Sequence, residues 1–183
     1  PIEHITKDSS ERKDGKTLRH ASNYSAGPAV VARRLGIKMA DAKRKLEIYK
    51  SVNPLLATWH KRIQDELQKT KTLTTPLNRK RRFLDRWGDE LFRSAYAFLP
   101  QSTVGDLLNI AIVDMYEADD SFVFDIDIWM QLHDAIYVQV DNNIEAVAYA
   151  MAQLKKHMYR EIEVNCDTMV IDVDFSIGYN WGE

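Results

Sequence analysis

The sequence predicts an α+β fold in which a run of helices precedes antiparallel strands. Two observations carry this expectation. Through most of the stretch from Glu11 to Tyr116, apolar residues recur at spacings of three and four, the period of a helix with one buried face. From Phe124 the spacing changes to two: Phe124, Ile126, Ile128, Met130 and Leu132 alternate with polar residues, and Ile136, Val138 and Val140 resume the pattern. That reads as a two-stranded hairpin with one apolar face and its turn at His133-Asp134. Tight hairpin turns favour Asn-Gly or other glycine-containing pairs. An imidazole and a carboxylate break that rule, and such violations gather at functional sites. An ordinary surface turn holding two polar residues is the plainer alternative.

The 183 residues fit one domain of usual size or two small ones, and 45% hydrophobic residues suffice for a core. Lys and Arg number 25 against 27 Asp and Glu, so no global excess of positive charge advertises a nucleic-acid partner and any such site is local. The single cysteine, Cys166, cannot form an internal disulfide. No apolar run approaches the ~20 residues of a membrane span or resembles a secretory leader, which makes cytoplasm the expected compartment and no membrane partner expected.

Taken in order, Pro1 to Ser10 is polar and aperiodic and reads as a flexible or processed end. Glu11 to Tyr24 reads as a helix capped by Ser9 or Ser10, weakened by Gly15. Within it Arg12, Lys16, His20 and Tyr24 recur every fourth residue and form a slanting row on one face. Two cations, an imidazole and a phenol suit a ligand with phosphates at one end and a flat base at the other; a solvated basic face has the same spacing. Gly27-Pro28 ends this helix, and AVVARRLGI predicts a short one closed by Gly36. Ala40 to Tyr49 is amphipathic through Ala42, Leu46 and Tyr49. The next helix, with Pro54 near its start, carries a stripe of Leu55, Leu56, Trp59, Ile63 and Leu67. Both read as packing elements.

Thr70 to Leu84 changes character. Thr-rich, β-prone residues flank Pro76-Leu77-Asn78, and Arg79-Lys80-Arg81-Arg82 is the densest positive run in the chain. A hairpin presenting four cations suits a phosphate backbone, with a solvated charge run as the alternative. Asp89 to Tyr116 predicts a long helix that Pro100 should kink or open, with Arg93, Ala97 and Gln101 on one face. Asp119-Asp120-Ser121 ends it. Beyond the central hairpin, Ile144 to Met158 is amphipathic, and the alternation from Val170 to Ile177 predicts a third strand.

These stretches together resemble the family A DNA polymerases, the bacterial polymerase I and phage replicase group. Arg12-x3-Lys16-x3-His20-x3-Tyr24 resembles motif B, whose pattern is Arg-x3-Lys-x3-(Phe or Tyr)-x3-Tyr-Gly. VVARRLGI looks like the helix after it, NRKRRFL like the basic hairpin, and RSAYAFLPQSTVGDLL like the Arg-x7-Gln-x-Thr helix. MQLHDAIYVQV resembles motif C and IGYNW the Gly-x-Asn-Trp ending. Six motifs in the family's order cover nearly the whole chain, from about Glu11 to Glu183.

The resemblance implies part of a right-hand polymerase: a flexible segment at 1–10, helical fingers at 11–92, and an antiparallel palm sheet with packed helices at 93–183. It carries Arg12 and Lys16 onto the incoming triphosphate, His20 onto the nucleotide sugar and Tyr24 beside the nascent pair. Asp134 becomes a catalytic metal ligand and His133 a neighbour of the primer end. Arg93, Gln101 and Gln131, with the basic hairpin Arg79, Lys80, Arg81 and Arg82, become contacts to primer and template. Phosphoryl transfer of this kind uses two magnesium ions ~4 Å apart, and Lys16 can offset charge or protonate the leaving pyrophosphate. The implied partners are primer–template DNA, dNTPs, and an upstream region or partner chain carrying motif A, the thumb and any exonuclease. Motif A's aspartate has no counterpart in Pro1 to Ser10, because Asp8 stands too close to motif B. The isolated chain is therefore expected to be inactive, as a fragment or as one subunit of a split, phage-like polymerase in a bacterial or phage-infected cell.

The sequence also departs from the family pattern. His20 replaces Phe or Tyr, Ser25 replaces the glycine after Tyr24, Ala135 replaces the motif C glutamate and Ala97 an asparagine. Two alternatives follow. A single-subunit RNA polymerase shares the right-hand plan, although the Arg-x7-Gln-x-Thr and Gly-x-Asn-Trp segments look like the DNA branch. A catalytically silent nucleic-acid-binding subunit would explain the missing motif A and Ala135.

Overall fold

A computed structural model describes residues 6, 9–164 and 166–180. Most of the expected flexible end, 1–10, and Trp181 of the closing motif lie outside the described residues. The first helix, α1 (Ser10–Asn23), begins at Ser9, whose Oγ accepts from the Arg12 amide, and Glu11 in its first turn complements the helix dipole. The second, α2 (Pro28–Leu35), starts on a proline that needs no amide partner and ends at Gly36, which takes the left-handed φ of 64° that closes helices. Two longer helices follow, α3 (Met39–Val52) and α4 (Pro54–Thr70). Strands β1 (Thr72–Thr74) and β2 (Lys80–Arg82) pair antiparallel, with Leu73 opposite Arg81.

The long helix α5 (Asp89–Ala118) is unbroken and contains Pro100. A turn of 3-10 helix at Asp119–Ser121 closes it. Strands β3 (Asp127–Leu132) and β4 (Ala135–Gln139) form the central hairpin, helix α6 (Ile144–Met158) follows, and β5 (Glu161–Val164) pairs with β6 (Asp167–Val170). Among the described residues there are three two-stranded sheets and no helix long and apolar enough to cross a membrane.

The chain forms two compact units. The first runs through Thr74 and adds Lys80–Pro100; the second holds Thr75–Arg79 and the chain from Gln101 onward. The first has two apolar clusters. One joins α4, the β1–β2 hairpin and the first part of α5 through Ile63, Leu67, Leu73, Phe83, Leu91, Tyr96 and Phe98. The other packs α1, α2 and α3 around Ala21, Val31, Ala42 and Leu46. In the second unit Met115, Ile126, Ala150 and Leu154 are buried, with Ile128, Ile136, Val138, Val140 and Phe175 packed against them. Leu55, expected on the α4 stripe, is 79% exposed in the first turn of that helix.

Two strand expectations are corrected. The third strand falls earlier than its alternation suggested: only Val170 belongs to β6, and 171–178 has no ladder partner among the described residues. Burial still alternates there, with Ile171, Val173 and Phe175 half-buried between exposed Asp172, Asp174 and Ser176. Alternation reports which side faces the core, and a strand also needs a neighbour for its amides. The second correction concerns the central hairpin. Its register slips at Trp129, so that Ile128 pairs with Val138 but Met130 with Tyr137 and Gln131 with Ile136. Directly opposed residues share a face, so beyond this bulge Gln131 pairs on the side of Ile136 and Val138 with its side chain exposed, while half-buried Met130 stands opposite exposed Tyr137.

Candidate active site

The row on α1 is present as a row. Arg12, Lys16 and His20 are exposed, while Tyr24, just past the helix, is half-buried against the core of the first unit. The rings of His20 and Tyr24 lie 5.4 Å apart and tilted by 56°. The helix closes through the amides of Tyr24 and Ser25, which donate to His20 and Ser22 at 3.2 and 3.0 Å. Ser25 then takes φ 55°. A left-handed residue with a Cβ costs roughly 1–2 kcal/mol, so the position asks for the glycine it lacks.

Asn23, the last residue of α1, is held twice. The Tyr49 hydroxyl donates to its Oδ1 at 3.0 Å, and His60 Nε2 lies 2.8 Å from its carbonyl oxygen. A carbonyl only accepts, so Nε2 carries the proton. The imidazole stacks on Tyr96 at 3.9 Å, and Gln64 donates to the Tyr96 hydroxyl at 2.6 Å. Burial lowers the His60 pKa below its ordinary 6.5, the bond to Asn23 opposes this, and nearby Lys50 lowers it further. Burial likewise raises that of Tyr96.

The four cations of the basic run have different surroundings. In β2, Lys80 and Arg82 stand opposite Thr74 and Thr72 and are exposed. Arg81 opposes buried Leu73, and its guanidinium carbon sits 4.6 Å from the centre of the Phe83 ring and 5.8 Å from that of Phe98. Arg79 forms an ion pair with Asp106 on α5, donating from Nε to Oδ1 at 2.7 Å. That hydrogen bond and the adjacent negative charge raise the Arg79 pKa. The other Asp106 oxygen is buried with no partner among the described residues. Arg93 and Gln101 are exposed, one in each unit.

The central turn holds two residues, because Leu132 pairs directly with Ala135. His133 has φ 55° and Asp134 is not among the residues with positive φ, the pattern of a turn whose first position favours glycine. Both side chains are exposed. Such a turn sets a carboxylate in water beyond the end of the strand pair. Asp127 starts β3 opposite Gln139, which lies four residues along β4 from Ala135, roughly 13 Å along a strand. It cannot share an ion with Asp134.

The profile of DNA polymerase family A matches residues 1–183. The chain belongs to DNA polymerase family A. Among relatives of this family A chain, the DNA polymerase of Mycobacterium phage D29 is 29% identical over 116 residues, covering 63% of this chain and 18% of its own length. DNA polymerase I of Lactococcus lactis subsp. lactis (strain IL1403) is 26% identical over 179 residues, covering 94% of this chain and 20% of its own length. The chain thus spans about a fifth of the length of these relatives. In fold it is similar to the POL domain of Pol1 from M. smegmatis, solved in complex with DNA primer-template and dNTP. That likeness has a TM-score of 0.76 at 20% identity, over 93% of this chain and 31% of that one.

In this family A chain the motif B resemblance falls on α1, the basic run on β2 and the loop before it, and motif C on the β3–β4 turn. The donor set fits magnesium in part. Asp134 is an exposed hard-oxygen donor, while no group of three or more His, Cys, Asp or Glu that could hold a metal occurs among the described residues. Sequence reasoning missed His60 and Tyr49 as partners of Asn23, and Asp106 as the partner of Arg79. Their signal was faint: an imidazole beside Trp59 in an otherwise packing helix, and one carboxylate inside the apolar run Val104 to Leu108.

Proposed function

We propose that this chain is the C-terminal part of a template-directed DNA polymerase that adds dNTPs to a primer 3′ end, with fingers at 11–92 and palm at 93–183. Arg12 and Lys16 neutralise the triphosphate of the incoming nucleotide, and the rings of His20 and Tyr24 pack on its sugar and base. Lys16 also offsets charge on, or gives a proton to, the departing pyrophosphate. Asp134 is one ligand of a magnesium site whose other carboxylate, the motif A aspartate, comes from outside these 183 residues, in an upstream region or partner chain. When bound, magnesium offsets the negative charge that develops on the reacting phosphate. His133 lies by the primer end, and Arg93, Gln101 and Gln131 contact primer or template. Lys80 and Arg82 meet backbone phosphates directly, and Arg79 and Arg81 hold the hairpin that presents them.

The observation that carries this reading is an unbroken helix in a family A chain that keeps Arg12, Lys16 and His20 exposed in one row ending at Tyr24. The test is primer extension with dNTPs and magnesium, by this chain alone and mixed with an upstream fragment supplying motif A. Extension only in the mixture is expected. In that mixture Asp134→Ala should lower the rate at least about 100-fold with primer–template affinity retained. An Asp134→Ala chain that supports extension as well as the parent would instead establish a silent DNA-binding subunit.

A further inference from the structure

A helix leaves its last carbonyls without intrahelical donors, and the end that carries them frays unless something else binds them. At the end of α1 the Asn23 carbonyl is bound by His60 of α4, and the Asn23 side chain by Tyr49 of α3. His60 is itself fixed, stacked on Tyr96 at an interplanar angle of 23°, with the Tyr96 hydroxyl bound by Gln64. All five residues belong to the first unit. The next two residues are Tyr24, whose ring adjoins His20, and Ser25, whose left-handed backbone is strained for a residue with a side chain. A strained junction persists only where its surroundings hold it.

We propose that His60 is a positioning residue: through its hydrogen bond to the Asn23 carbonyl it fixes the last turn of α1, and with it the placement of His20 and Tyr24 toward the incoming nucleotide. The inference rests on the reading of α1 as the nucleotide-binding helix. His60 touches neither nucleotide nor metal in this scheme. It acts through one backbone oxygen, and its stack on Tyr96 restricts where the imidazole can go.

Two variants separate the bond from the stack. His60→Phe keeps a ring against Tyr96 and loses the donor; His60→Gln keeps a donor and loses the ring. In the extension assay with the upstream fragment, His60→Phe should raise the dNTP KM about fivefold with kcat within about twofold, while His60→Gln stays near the parent. Amide hydrogen exchange on the full chain supplies a readout independent of activity. The Tyr24, Ser25 and Ala26 amides should exchange faster in His60→Phe than in the parent or in His60→Gln. Unchanged exchange in both variants, equal impairment in both, or faster exchange with an unaltered KM would overturn the proposal. A parent chain that extends no primer under any condition would overturn the polymerase reading instead, and exchange alone would then decide whether His60 holds the helix end.

Discussion

Ser25 sits where a glycine would be at ease, and its φ of 55° makes the cost of its Cβ measurable. Ser25→Gly should stabilise the chain by about 0.5–1 kcal/mol, the left-handed penalty less the entropy lost by glycine, read as a shift of the urea midpoint. Titration offers a second test at this scale. His60 and His157 both have pKa values lowered from 6.5, chiefly by burial, and His157 Nε2 is buried with no partner among the described residues. The unfolded chain takes up these protons near pH 6.5 and the folded chain only at lower pH, so the folded state binds fewer protons in that window. Their contribution is complete above pH 6.5 and is lost as the pH falls through the folded-state values. Denaturation midpoints should drop between pH 7.5 and pH 5, and the drop should be smaller in His60→Phe, which has no imidazole at that position to charge.

Among the elements, the β1–β2 hairpin sorts its charges by strand parity. Replacing Lys80 and Arg82 together with alanine should weaken primer–template binding and reduce the slope of log affinity against log salt by about two, measured by titration at several salt concentrations. Arg81→Ala should act through lost packing on Phe83 and Phe98 and change that slope less. The helices were the legible part of the sequence. Their apolar spacing and end signals placed α1 within one residue at each end and α6 at its observed bounds, because caps and periodicity are local properties. Strands β5 and β6 escaped notice because EIEV and DTMV are short, polar and defined mainly by each other. The motif row and the Asp134 turn could be read from spacing and order. The partners of Asn23 and Arg79 could not, since Tyr49, His60 and Asp106 lie 26, 37 and 27 residues away along the chain.

At the scale of the whole molecule, a net charge of −2 gives the chain no general attraction for DNA, so the proposed binding would rest on local exposed cations and should be salt-sensitive. Stability also has a local seat. Leu67 is 1% exposed at the centre of a cluster that joins a helix, a hairpin and part of a second helix. Leu67→Ala should cost about 2–5 kcal/mol, a large share of the ~5–15 kcal/mol that holds an ordinary domain, and should deprotect the α4 amides in hydrogen exchange.

The extra residue at Trp129 has one more consequence. Along β3, even-numbered residues pair on the Val138 side before Trp129 and odd-numbered ones after it, although Met130 stays half-buried and Gln131 exposed. Deleting that single residue would leave a regular ladder with the same partners, Met130 opposite Tyr137 and Gln131 opposite Ile136. The His133-Asp134 turn would keep its distance from Gln139, which lies four residues along β4 from Ala135. The inserted residue thus lengthens β3 against its partner without moving the carboxylate tip, and what its deletion would remove is the local bend two positions before Gln131.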